Sequence, residues 1–358
     1  MPFFNSHLFE SKPELLEGNL QIIACAGSGK TEFVSERIAY MLYKGVAKPD
    51  QIVAFTFTDK AAEELKFRVR SKIKELLGKQ PDIGDMYIGT IHAFAFKILQ
   101  EFIPRYRAFD MLDEVGRLAF LSSIKRDIDF DHLAGSLSKR YKKPFGRNVQ
   151  NWVYNTFIKD VDLYREEGLT DDATLSDSFR NAYKIYLEKL EEKRFLDFSS
   201  ILRIAVDTLE NNQSVRNKLQ AQYSFFTVDE YQDVNPIQEK LIQLISNKMN
   251  VCVVGDDDQS IYQWRGADVQ NIITFKQRYP KVAIHELTIN RRSTDAIVKT
   301  ADELIQSNNP ERLQKAINDK GLKSENGDLY KILFSTQEQE IQWVVDKVQS
   351  LVGKEYLE

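Results

Sequence analysis

Three short runs in this chain carry residue types suited to phosphate chemistry. Val228-Asp229-Glu230-Tyr231-Gln232-Asp233 and Gly255-Asp256-Asp257-Asp258-Gln259-Ser260-Ile261-Tyr262-Gln263-Trp264-Arg265-Gly266-Ala267 place carboxylates beside stackable aromatics. Acidic residues alone do not say whether the ligand is a metal, a sugar or a phosphate. The third run, Ala24-Cys25-Ala26-Gly27-Ser28-Gly29-Lys30-Thr31, narrows the choice. A Gly-Lys-Thr turn leaves backbone N–H groups unpaired at a helix start, where they and the helix dipole attract a polyphosphate. Ala24 stands where the general phosphate-loop pattern has glycine.

The chemistry follows from these residue types. Lys30 neutralises the outer phosphates, the Thr31 hydroxyl and the Asp229 carboxylate offer oxygens to one Mg2+, and Glu230 orients or deprotonates the attacking water. Asp256, Asp257 and Asp258 read equally as a turn of helix-capping carboxylates.

Such residues need a scaffold that gathers them. Apolar strand-like runs recur at 20–24, 51–56, 86–89, 224–228 and 251–255, with helical stretches between them, as in 30–42 with Phe33, Val34, Ile38, Met41 and Leu42 on its apolar positions. This alternation predicts an α/β fold with a parallel sheet, whose ligands bind at the carboxyl ends of the strands. Strand signals vanish between about 105 and 192, which reads as a helical insertion. Apolar runs at 282–287 and 329–334 suggest a second sheet. The expected organisation is a first domain over 1–104 and 193–280, an inserted helical subdomain over 105–192, and an incomplete second domain over 281–358.

Composition fits this scale: 358 residues, 28% charged and 42% hydrophobic, suffice for two or three domains. Two cysteines, Cys25 and Cys252, and four scattered histidines offer neither a disulfide framework nor a zinc cluster. No leader pattern or long apolar run suggests a membrane, so a cytoplasmic protein is expected. The net charge of −4 leaves nucleic-acid binding to local patches. The run 138–147, with Lys139, Arg140, Lys142, Lys143 and Arg147 interleaved with Tyr141 and Phe145, is one such patch, or equally a solvated loop.

The three runs, together with Ala54-Phe55-Thr56-Phe57-Thr58-Asp59-Lys60-Ala61-Ala62, Ile88-Gly89-Thr90-Ile91-His92-Ala93-Phe94, Phe195-Leu196-Asp197-Phe198 and Leu287-Thr288-Ile289-Asn290-Arg291-Arg292-Ser293, resemble the UvrD/Rep family of helicases. The resemblance covers nearly everything to about Ser293, and that family too has alanine at the position of Ala24. It implies RecA-like domains, ATP and Mg2+ as cofactors, and an ATP-dependent DNA helicase or translocase moving 3′-to-5′ on single-stranded DNA, with duplex junctions as further substrates.

Residue by residue, the resemblance implies that 24–31 (Ala24, Cys25, Ala26, Gly27, Ser28, Gly29, Lys30 and Thr31) cradle the nucleotide. Gln259 and Arg265 sense its terminal phosphate, Arg292 contacts it from the second domain, and Arg37 lies against it. Phe57, Tyr262 and Trp264 stack on bases, while Thr56, Thr90 and His92 touch the DNA backbone. Family members carry a glutamine near the place of Phe9 and an aromatic at Arg291, so weaker discrimination against GTP is expected. The family's later motifs are not recognisable here. The expectation is therefore an N-terminal fragment or short relative that binds ATP but hydrolyses it slowly, or a regulatory module that binds nucleotide and DNA without turnover.

Overall fold

The structure, a computed structural model, describes residues 6–78, 83–142, 150–166, 176–263, 266–315 and 330–352. Its centre is a six-stranded, all-parallel sheet of order β3-β2-β6-β7-β1-β8. These strands are β1 (Leu20–Ala24), β2 (Ile52–Phe55), β3 (Tyr87–Gly89), β6 (Phe225–Val228), β7 (Val251–Gly255) and β8 (Ala283–Leu287). Every residue of β1, β2, β6 and β7 is buried, which explains why they read as continuous apolar runs without alternation.

Helices cover both faces. On one lie α1 (Ser6–Ser11), α2 (Lys30–Lys44) and α3 (Asp59–Leu77); on the other, α4 (Ile91–Phe102), α9 (Phe198–Asn211), α10 (Gln213–Gln222), α11 (Pro236–Ser246) and the short α12 (Gln270–Ile273) and α13 (Phe275–Arg278). The strand-to-helix corners are built by side chains of the motifs themselves. Thr58 Oγ1 accepts from Ala61 N at 3.1 Å to cap α3, and Thr90 Oγ1 accepts from Ala93 N at 3.2 Å to cap α4.

The insertion has its own core, formed by α5 (Glu114–Ser123), α6 (Phe130–Arg140), α7 (Gln150–Glu166) and α8 (Asp177–Glu192) around Phe157, Phe179 and Tyr186. A strand missed by the sequence reading, β4 (Asp110–Leu112), enters it and pairs in parallel with β5 (Phe195–Asp197). Three residues are too few for periodicity to register. The buried Asp197 anchors the return to the main sheet: it receives Tyr186 Oη at 2.7 Å and the Ser200 N–H at 2.8 Å, with Arg117 at 3.4 Å and Arg165 at 3.5 Å.

Two expectations about the second domain require correction. The run at 282–287 starts no second sheet; as β8 it pairs in parallel along β1 from Leu20↔Ala283 to Ala24↔Leu287 and forms an edge of the first sheet. Its exposed face follows from that edge position. Residues 330–334 carry no strand and lead into α15 (Gln337–Leu351), an exposed helix, while α14 (Asp295–Ile305) follows β8. No helix among the described residues is long and apolar enough to cross a membrane.

Candidate active site

Lys30 opens α2 at the carboxyl end of β1, on a turn in which Gly27 and Gly29 both take left-handed backbone, φ +72° and +93°. Ser28 closes that turn on Cys25, its N–H at 3.2 Å and its hydroxyl at 2.8 Å from the Cys25 carbonyl. The Lys30 ammonium reaches the end of β6, where its Nζ lies 2.7 Å from Glu230 Oε2.

Asp229 and Glu230 are adjacent in sequence yet both meet the phosphate loop. Glu230 has φ +50°, a left-handed conformation that costs a residue with a side chain about 1 to 3 kcal/mol. Its N–H donates to Asp229 Oδ1 at 3.0 Å, and the Thr31 hydroxyl lies against the Asp229 carboxylate. Burial and the neighbouring Glu230 charge push the Asp229 carboxyl up to about 6, with Lys30 opposing. Asp233 is also pushed up to about 6, by burial and then by Glu230. A buried carboxylate with excess negative charge around it and a hydroxyl beside it is a hard-oxygen donor set, so Thr31 and Asp229 fit Mg2+.

Two further segments close on this centre. From β7, Asp256 caps the following turn and its Oδ2 accepts from Gln259 Nε2 at 2.5 Å. From the end of β8, the buried Asn290 donates to the Ala26 carbonyl at 2.8 Å and the Arg291 N–H donates to the Gly27 carbonyl at 2.8 Å. Asn290 Oδ1 holds the N–H groups of Arg292 and Ser293, which seats Arg292 over the phosphate loop. A Cβ on Gly27 would meet Arg292 Cβ at 2.8 Å and Asn290 Oδ1 at 2.9 Å.

This combination of phosphate loop, paired carboxylates and closing arginine segment has known counterparts. A sequence profile described as the UvrD/REP helicase N-terminal domain matches residues 9–280. The chain belongs to the UvrD/Rep helicase family. It is similar to the ATP-dependent DNA helicase PcrA of Bacillus subtilis (strain 168), 35% identical over 314 residues, which are 86% of this chain and 40% of that protein. PcrA of Staphylococcus epidermidis (strain ATCC 35984) is 32% identical over 351 residues, 96% of this chain and 45% of that one. PcrA of Staphylococcus aureus (strain Mu50) is 34% identical over 305 residues, 84% and 40% of the respective chains. The chain spans about two fifths of the length of these relatives.

Within the UvrD/Rep framework, the residues expected at DNA also gather at the carboxyl edge of the sheet. The exposed Phe57, just beyond β2, stacks on Tyr262, with ring centroids 5.1 Å apart and planes at 26°. Thr90 follows β3. His92 is half-buried, its ring edge-on to Phe198 at 5.1 Å, and burial pushes its imidazole down to about 4. It is therefore neutral near pH 7, a hydrogen-bonding group rather than a phosphate-attracting cation. Thr56 is buried and its hydroxyl donates to the Thr58 carbonyl at 3.0 Å, shaping the loop that presents Phe57 rather than reaching outward. Trp264 and Arg265 lie outside the described residues.

Arg37 is a correction. Its guanidinium is only 1% exposed and donates to the carbonyls of Leu15 at 2.7 Å and Leu16 at 3.0 Å and to the Thr227 hydroxyl at 3.3 Å. It braces β6 against the N-terminal segment from inside and does not lie against a nucleotide. Phe9 likewise belongs to the core, packed on Phe33 and Tyr40. In the basic run, Lys139, Arg140 and Lys142 are exposed, Tyr141 donates to Asp160 at 2.5 Å, and 143–147 lie outside the described residues.

Gln232 and Asn290, both buried, have site roles that their motifs do not announce. Gln232 is buried and bridges the two acidic runs: Nε2 donates to Glu230 Oε2 at 3.0 Å while Oε1 accepts the Asp256 N–H at 3.0 Å. An amide able both to donate and to accept, set between Glu230 and Asp233 in sequence, is the available signal.

Proposed function

We propose that this protein couples ATP hydrolysis to 3′-to-5′ movement along single-stranded DNA, with duplex junctions as the substrates it opens. One juxtaposition carries the reading: the Lys30, Asp229 and Glu230 centre and the pair of exposed Phe57 and half-buried Tyr262 sit at the same edge of one sheet. Nucleotide chemistry at the strand ends therefore acts on the same loops that meet bases. The names of the relatives support ATP and DNA as ligands.

Lys30 exchanges Glu230 for the outer phosphates of ATP, which frees the Glu230 carboxylate to take a proton from the attacking water. Gln259, held by Asp256, hydrogen-bonds the terminal phosphate, and Arg292 places positive charge over the loop. Thr31 and Asp229 would hold Mg2+, which would supply charge neutralisation to the phosphate oxygens. Phe57 and Tyr262 offer ring faces, and stacking contributes about 1 to 3 kcal/mol per base whatever the sequence.

The deciding measurement is ATP turnover with and without oligo-dT, in wild type and in Phe57→Ala. The reading expects DNA stimulation, against the slow hydrolysis expected from the unrecognised later motifs, and for the variant a DNA affinity about 5- to 100-fold weaker at unchanged nucleotide affinity. ATP hydrolysis indifferent to DNA, or equal DNA affinity in the variant, would sink it.

A further inference from the structure

Residues 312–315, far from every motif in sequence, fold back onto the acidic run after β7. Lys315 Nζ enters the group of three carboxylates, bonded to Asp256 Oδ1 and lying 2.6 Å from Asp257 Oδ1 and 2.7 Å from Asp258 Oδ2. Arg312 Nη2 reaches Asp258 Oδ2 at 2.7 Å, and the Leu313 N–H donates to Asp257 Oδ2 at 2.7 Å. The side chains of Lys315 and Asp256 are each 4% exposed. Carboxylates this close repel one another strongly away from water, so a buried cation among them fixes where they sit.

That placement has a continuous line to the chemistry. Asp256 gives one oxygen to Lys315 and the other to Gln259 Nε2. Its N–H holds Gln232, whose amide holds Glu230, which holds Lys30. A segment entering after β8 and α14 is thereby joined to the phosphate-loop lysine through Asp256, Gln232 and Glu230, the step from Asp256 to Gln232 running through the main-chain N–H.

We propose that Lys315 is a positioning residue of the ATP site: by clamping Asp256 it sets Gln259 and, through Gln232, the carboxylate of Glu230. The proposal rests on the functional reading above. Because the bonds of Lys315 go to the carboxylates of Asp256, Asp257 and Asp258, its loss should lower turnover and spare ATP binding. Displacing the 312–315 segment would do the same, making the clamp a route by which movement after β8 reaches the hydrolytic centre.

The test is DNA-stimulated ATP turnover and ATP affinity in Lys315→Met, Lys315→Arg and Gln259→Ala. Lys315→Met should lose about tenfold or more in kcat with Kd for ATP within about twofold, and Lys315→Arg should recover part of the loss. In a Gln259→Ala background, Lys315→Met should cost little further, since both act on one contact. Should Lys315→Met not fold, Lys315→Gln, which keeps a hydrogen bond to Asp256 without the charge, reads the same split. Unchanged kcat, losses that multiply in the double variant, or kcat and affinity falling in parallel would each overturn the proposal. A wild type without DNA-stimulated turnover overturns the functional reading itself, whereas an active wild type with an equally active Lys315→Met overturns the clamp alone.

Discussion

Lys30 Nζ and Glu230 Oε2 form an ion pair at 2.7 Å, so the phosphate-loop cation and the β6 carboxylate neutralise each other across the site. ATP competes for that cation. Glu230→Gln removes the competitor while keeping shape and should tighten ATP binding a few fold, since a partly exposed pair contributes about 1 kcal/mol or less. Turnover should fall by about 10² to 10⁴ with the lost base. Calorimetry and single-turnover hydrolysis check both halves; weaker ATP binding in the variant would remove the competition argument.

Gly27→Ala probes closure over the loop. The added Cβ meets Arg292 and Asn290 within 3 Å at a residue whose φ is already +72°. Both left-handed strain and the clash act together, so a loss of about 1 to 3 kcal/mol in stability is expected. Nucleotide affinity should drop as well because the 290–292 segment moves off the loop. Gly45→Ala, at φ +69° with open space around the new methyl, isolates the strain from the clash. Equal losses in the two variants would show that the Asn290 and Arg292 contact adds nothing.

Arg117 ties the insertion to the end of β5 and the start of α9, with both Asp162 oxygens at 2.9 Å and Asp197 Oδ2 at 3.4 Å. Burial works to raise the Asp197 carboxyl, yet Arg117 and Arg165 outweigh it and hold it below the usual range. Arg117→Ala leaves buried carboxylates short of a cation and should destabilise the protein by about 3 to 5 kcal/mol. Urea denaturation measures the change; a loss under about 1 kcal/mol would mean that the carboxylates find other partners.

His92 predicts an acid limb of stability. Folded, its imidazole titrates at about 4; unfolded, near 6.5. Between those values the unfolded chain binds more protons, so stability is fully present above about 6.5 and declines as the pH falls toward 4, by about 1 to 3 kcal/mol in all. His92→Gln should flatten this limb relative to wild type. Matching slopes for the two proteins between pH 6.5 and 4 would show that the ring is solvated.

What the sequence determined by itself is local: the strand-loop-helix of 20–42, the fully buried strands and the glycines of the phosphate loop. Each depends on contacts among residues near in sequence, or on an apolar run long enough to mark a core strand. The acidic runs declared their chemistry through residue type alone. The tertiary structure decided what depends on distant partners. It made 283–287 an edge strand of the first sheet, since an apolar run does not name the strand it pairs with. It turned Arg37 inward, because main-chain acceptors at Leu15 and Leu16 satisfy its guanidinium better than an exposed position would. It also carried Lys315 across more than fifty residues to Asp256, where charge neutralisation in a buried place, invisible to periodicity or motif, selects the contact.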